Sequence, residues 1–156
     1  MEKEERYLFN RFPYPAVFIH AYYNYPRATK EQHDAICNGA GPRRFGRLIP
    51  DKFWGLCITE SANNHDWDYQ WGETIEDKKQ ADRTFRNNML RQAEALRAEE
   101  AYLKPGWICR KYNEYKHIQR CNMIEEYFKA VDVFGGPSFW DKENVGFSWT
   151  DIRDAT

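Results

Sequence analysis

The residues of this chain best suited to chemistry lie in Ser61-Ala62-Asn63-Asn64-His65-Asp66-Trp67-Asp68-Tyr69 and Ala81-Asp82-Arg83-Thr84-Phe85. On a helix over 61–71, His65 and Asp66 are neighbours about 100° apart around the axis. Tyr69 follows them at i+4 and i+3, one turn on. An imidazole and a carboxylate then point at adjacent but different spots, an arrangement in which one group handles a water and the other holds a cation. Asp82 borders the apolar stripe of the next helix. A carboxylate there needs a partner, because burying it alone is costly, and the His65 imidazole is available. The polar segment Cys37-Asn38-Gly39-Ala40-Gly41-Pro42 precedes all of these residues. It reads equally as an ordinary turn or as a carbonyl-rich metal loop. A base, an orienting acid, a metal-binding carboxylate and such a loop together suggest metal-assisted hydrolysis of an ester.

Two helices must position these groups. Thr59 or Ser61 can cap the first, and Gly72 can close it in a left-handed conformation. Thr74 and Asp77 have capping-box spacing and open the second. Its apolar positions Ala81, Phe85, Met89, Ala93 and Leu96 recur with helical period, and Pro105-Gly106 ends it near Leu103. The connection Gly72-Glu73-Thr74 is short, so the two helices are expected to be antiparallel neighbours. A third helix is predicted over Trp107 to Val131, with Ile108, Tyr112, Tyr115, Ile118, Met123, Tyr127 and Val131 as its apolar surface. Gly135-Gly136-Pro137 stops it. Phe139, Trp140, Phe147 and Trp149 are expected to fold an aromatic tail back over the helices. Upstream, Thr29 and Gln32 cap a short helix ending near Cys37, and Ala16 to Tyr25 is either a short strand or an irregular packed segment.

With 156 residues, 42% of them hydrophobic and 17% aromatic, the chain can bury a core as one domain and is too apolar for disorder. Its 23 basic and 24 acidic residues leave a formal charge of -1, which gives nucleic acid no electrostatic footprint. No apolar run is long enough to span a bilayer, and no signal peptide is visible. The protein is therefore expected to be cytoplasmic as synthesised, leaving the cell only if exported or released by another route. Cys37, Cys57, Cys109 and Cys121 permit two disulfides, although half-buried free thiols are the plainer reading. Cys109, His117 and Cys121 on one helix form an alternative zinc set.

His65-Asp66-x-x-Tyr69 followed by Ala81-Asp82-Arg83 resembles the secreted phospholipase A2 superfamily. Members carry a His-Asp-x-x-Tyr motif on one long helix, an Asp-Arg pair on the next antiparallel helix, and a Gly-rich calcium loop before both. The resemblance covers about residues 37–90. The tail Gly135-Gly136-Pro137-Ser138-Phe139-Trp140 is similar to small bacterial and prophage proteins with the same helix pair. It implies one mainly α, phospholipase A2-like domain over residues 1–156, with two long antiparallel helices carrying the site. It further implies that His65 is a general base, that Asp82 orients its ring, and that Tyr69 supports Asp82. Ca²⁺ would be held by Asp66 and by backbone carbonyls of Gly39 and Gly41. The implied reaction is hydrolysis of the sn-2 ester of a glycerophospholipid, with a phospholipid or membrane interface as partner. The chain departs from the family at Ala62, where a cysteine tied to the calcium loop is expected. A catalytically silent module on the same helix pair is the alternative function. A metal phosphohydrolase is a third reading, with few histidines to supply it.

Overall fold

In the computed structural model, the described residues are 7–9, 17–22, 24–37, 50–142 and 144–153. They form a mainly helical protein. Strands β1 (Tyr7–Phe9) and β2 (Val17–Ile19) pair antiparallel, with Leu8 opposite Phe18. A single 3₁₀ turn (Tyr25–Arg27) leads to α1 (Lys30–Ile36). The Thr29 hydroxyl and the Gln32 side chain close the expected capping box on α1. Strands β3 (Lys52–Phe53) and β4 (Leu56–Cys57) make a two-residue hairpin. Helices α2 (Thr59–Trp71), α3 (Ile75–Leu103) and α4 (Trp107–Phe134) follow, then the short α5 (Gly136–Trp140) and α6 (Trp149–Arg153).

Side-chain pairings fix the directions of the helices. Along α2, Tyr69, His65 and Ser61 bond to Asp82, Asp82 and Gln92 of α3. As one index falls the other rises, so α2 and α3 run antiparallel, as their short link predicts. The same holds for α3 and α4, where Lys78 meets Val131, Arg86 meets Glu125 and Arg97 meets Glu114. The long packed pair is therefore α3 and α4. The site lies on one long helix and one short one, not on the two long helices expected: α2 is a 13-residue helix, and α3 and α4 have 29 and 28 residues.

The core follows the stripe read from α3. Phe85, Met89, Ala93 and Leu96 are buried against Leu56, Ile58 and Ala62 on one side and Ile124 and Tyr127 on the other. A second cluster holds Tyr22, Tyr25, Ile36, Trp67 and Ile152, with Trp71, Phe147 and Trp149 packed on it. Trp67 and Trp149 are thus packing residues, as is Phe139, which is fully buried. Trp140 remains 54% exposed and is not an anchor.

Four local expectations change. The N-cap of α2 is Ile58 with no side-chain cap; Thr59 is already helical, and the Ser61 hydroxyl donates instead to Gln92 Oε1 at 2.5 Å. Gly72 ends α2 in an extended conformation (φ −68, ψ 145), not a left-handed one. Glycine is needed there because the Phe139 ring crosses the helix end, and a Cβ would lie 2.7 Å from Cε2. Helix α4 runs three residues past Val131, ending at the Gly135 cap. Finally, Ile108, Tyr112, Tyr115 and Ile118 do not pack inward but are at least half exposed. The inward face of α4 is carried by Asn113, Arg120, Ile124 and Tyr127.

Arg120 explains how a cation reaches that interior. Its guanidinium donates to both Glu100 carboxylate oxygens, at 2.9 and 2.8 Å, and twice to the Trp54 carbonyl, at 3.0 and 2.7 Å. The β3–β4 turn is Trp54-Gly55, with φ of +48 and +81. A two-residue turn with both φ positive suits a hairpin's twist but is strained for a bulky residue. The ion pair of the buried Arg120 with the partly buried Glu100 holds that strained carbonyl in place.

None of the four cysteines is disulfide-bonded. Cys121 Sγ lies 3.6 Å from His117 Nε2, which also meets Glu94 at 3.2 Å. The zinc set of Cys109, His117 and Cys121 does not assemble, since no cluster of three or more His, Cys, Asp or Glu side chains suited to a metal occurs among the described residues. No helix among them is long and apolar enough to cross a membrane.

Candidate active site

The antiparallel α2–α3 seam brings together three of the residues singled out from the sequence. His65 Nε2 is 2.9 Å from Asp82 Oδ1, and the Tyr69 hydroxyl donates to the same oxygen at 2.6 Å. Asp82 is 1% exposed and His65 6%. Burial pushes the Asp82 carboxyl up, but the hydrogen bonds from His65, Lys78 and Tyr69 outweigh it and hold it below the usual carboxylate range. Asp82 is therefore an anion. An anionic acceptor places the imidazole proton on Nε2 and leaves the Nδ1 lone pair as the basic position. Nδ1 has no hydrogen-bond partner among the described residues.

Burial also lowers the proton affinity of His65. Asp82 partly restores it, Lys78 opposes it, and the net shift is below the ordinary value. The ring is accordingly neutral near pH 7, the state a general base requires. Two aromatic rings fix its orientation. Tyr69 lies at 4.0 Å between centroids and Phe85 stacks at 4.7 Å. Burial and the Asp82 charge raise the Tyr69 phenol well above its usual range, so it stays a donor.

Lys78 completes the constellation and was not singled out from the sequence. It is 4% exposed. Its ammonium donates to Asp82 Oδ2 at 2.7 Å and to the carbonyls of Val131 and Asp132 at 3.1 and 3.3 Å. All three of its donors are thus used, and the two carbonyls belong to the C-terminal turn of α4, where cations are favoured. The i, i+4 spacing to Asp82 was the available signal. Arg83, the other half of the Asp-Arg pair, points outward and bonds Gln80.

Gly135 closes the site from the α4 side. Its φ is −72, so any residue could adopt the backbone. Space is what demands glycine: a Cβ would sit 2.4 Å from the Tyr69 hydroxyl. Phe139 packs edge-on to Tyr69 at 5.2 Å. Two asparagines add a polar frame beside the dyad. Asn64 and Asn88 both donate to the His20 carbonyl, at 2.9 and 2.8 Å, and Asn88 accepts from the His20 amide at 2.8 Å. The end of β2 is thereby pinned to α2 and α3.

Asp66, half-buried, follows His65 on α2. It is the carboxylate expected from the sequence to meet a calcium ion. The expected loop ligands Gly39 and Gly41 lie outside the described residues. The chain does enter that segment beside α2, because the Cys37 thiol donates to the Asn63 carbonyl at 3.3 Å. Burial pushes the Cys37 thiol up and the Asp66 charge adds to it. No protein-family model, curated protein or solved structure matches this chain.

Proposed function

We propose that the protein is a phospholipase A2-like ester hydrolase, acting on the sn-2 ester of glycerophospholipids. The observation that carries this reading is the buried His65–Asp82–Tyr69 cluster across two antiparallel helices. A neutral imidazole with Nε2–H held by an aspartate presents Nδ1 to a water. It removes a proton as the water oxygen attacks the ester carbonyl. Asp82 holds the ring's tautomer and stabilises the imidazolium that forms; Tyr69 and Lys78 keep Asp82 ionised and fixed throughout. His65 then returns the proton to the departing alkoxide.

Calcium is the cation implied by the resemblance. Asp66, with the carbonyls of Gly39 and Gly41, would hold it. When bound, such an ion polarises an ester carbonyl and suits oxygen ligands of flexible geometry. Val133, Phe134 and Trp140, all more than half exposed, flank Gly135 at this end of the molecule, and an apolar rim there supports an acyl-chain substrate.

The test is fatty-acid release from mixed phospholipid vesicles with and without Ca²⁺. The expected result is calcium-dependent release that EDTA stops and that His65→Ala lowers by about 10²-fold or more, with the fold retained. Wild-type rates in His65→Ala would sink the mechanism. Absence of turnover together with absence of calcium-dependent thermal stabilisation would favour the silent module.

A further inference from the structure

We propose that the tip of the α3–α4 hairpin is a docking surface for an anionic lipid bilayer, separate from the His65 site. Leu103 lies roughly 30 Å along α3 from Asp82, so this face is not the rim of the candidate active site. The inference does not rest on the hydrolase reading.

Exposed apolar residues concentrate here. Tyr102, Leu103, Trp107, Ile108, Tyr112 and Tyr115 are each at least half exposed. On α4 the last four lie on the side opposite the buried Asn113, Arg120 and Ile124, and Ile118 lies beside them. Such a contiguous patch marks an interaction surface. Trp54 joins it, 43% exposed and edge-on to Tyr115 at 5.9 Å. It is the residue displayed by the strained turn that Arg120 and Glu100 clamp, so an ion pair of the buried Arg120 is committed to holding one edge of the patch.

Charge decides the occupant. Residues 102–119 contain Lys104, Arg110, Lys111 and Lys116 against the single carboxylate Glu114, in a chain whose net charge is -1. Of the nearby acids, Glu99 has no ion pair among the described residues, and the other three are paired. Glu100 pairs with Arg120 and Lys116, Glu94 with Arg97 and His117, and Glu114 with Arg97. No carboxylate among the described residues pairs with Lys104, Arg110 or Lys111. Lys111 lies over the Trp107 ring at 5.1 Å. Unpaired cations interleaved with Trp, Tyr, Leu and Ile match the interfacial region of a bilayer, where aromatic rings sit at headgroup depth and basic residues meet anionic lipid.

The apolar face is also local. Further along the same side of α4 stand the exposed Asn122, Glu126 and Lys129, the last two paired to each other. A partner helix lying along α4 would find no seam there. A planar surface touching only the hairpin tip does not require one.

The test uses the full chain and vesicles of non-hydrolysable ether phospholipids, so binding is read without turnover. We expect co-sedimentation with vesicles of equimolar phosphatidylcholine and phosphatidylglycerol, weaker by about tenfold or more on phosphatidylcholine alone and at high salt. Lys111→Glu and Trp107→Ala, both at exposed positions, should each lower binding by about tenfold. Lys79→Glu makes the same charge change near the other end of α3 and should leave binding within about twofold. His65→Ala should bind as wild type, which separates this surface from the hydrolase reading. Equal binding to neutral vesicles, equal loss in Lys79→Glu, or no vesicle binding would overturn the proposal. So would a tip that instead holds single-stranded oligonucleotide, or one that holds a second copy of the chain dispersed by Trp107→Ala.

Discussion

Lys78 and Asp82, one turn apart on α3, form an ion pair of 2.7 Å between side chains that are 6% and 1% exposed. The pair gives Asp82 a counter-charge that does not depend on the protonation of His65. Oδ2 belongs to Lys78, while Oδ1 is shared by His65 and Tyr69. The carboxylate that orients the imidazole is therefore satisfied on both oxygens. Its lysine in turn is tied to the end of α4. Helix α4 contributes no side chain to the dyad but determines whether Lys78 can stay buried.

The acid stability of the protein should carry the signature of Asp82. Its folded carboxyl is held below its unfolded value of about 3.9. A group depressed in this way contributes stability that is fully present above the unfolded pKa and is lost as the pH falls through the folded one. Asp82→Asn leaves the Lys78 ammonium buried without its anion, which costs about 3–5 kcal/mol. In urea denaturation, the gap between wild type and Asp82→Asn should shrink as the pH falls below about pH 4. A gap that does not shrink between about pH 4 and pH 2 would mean that the Asp82 carboxyl is not depressed in the fold.

Lys78→Met tests the same pair from the other side. Methionine fills the space without a charge, so Asp82 loses one of three donors and the Val131 and Asp132 carbonyls lose theirs. The single variant should be destabilised by about 3 kcal/mol. The double variant Lys78→Met/Asp82→Asn should be more stable than the sum of the singles predicts, by about 1–3 kcal/mol, because neither charge is left stranded. Additive costs would mean that the two groups do not depend on each other.

The residues of the dyad were legible because their placement depends on local rules. A helical stripe from Ala81 to Leu96 orients α3, and the three-residue link Gly72-Glu73-Thr74 turns α2 back along it. Asp82 at the stripe's border then faces His65. Lys78 follows the i, i+4 rule, yet in a charged helix a lysine reads as a solvated one. Its burial depends on α4 carbonyls far along the chain, which no spacing reveals. The N-terminal half of α4 misled for the opposite reason. Ile108, Tyr112, Tyr115 and Ile118 lie on one side in helical period, but periodicity says only that a face is apolar. The face that packs is the one where Arg120 finds Glu100 and the Trp54 carbonyl. Gly72 and Gly135 show the same limit. Both look like conformational stops, and both are instead places where a ring or a hydroxyl from another element comes too close for a Cβ.

Gly135 offers the sharpest test of how α4 closes the site. Alanine is free to adopt its backbone conformation, so any cost of Gly135→Ala comes from collision. The new Cβ would meet the Tyr69 hydroxyl and the Val131 carbonyl, each at 2.4 Å. Relief requires Tyr69 to swing away, which also breaks its 2.6 Å bond to Asp82. We expect a loss of about 1–3 kcal/mol, read in thermal or urea denaturation. Tyr69→Phe alone forfeits that hydrogen bond and should cost about 1 kcal/mol. It also deletes the atom that collides. In the Tyr69→Phe background, Gly135→Ala should therefore cost less by at least about 0.5 kcal/mol, with the remainder due to Val131. If alanine costs the same with either residue at 69, the collision with the hydroxyl is not what makes glycine necessary, and α4 closes the site without bearing on Tyr69.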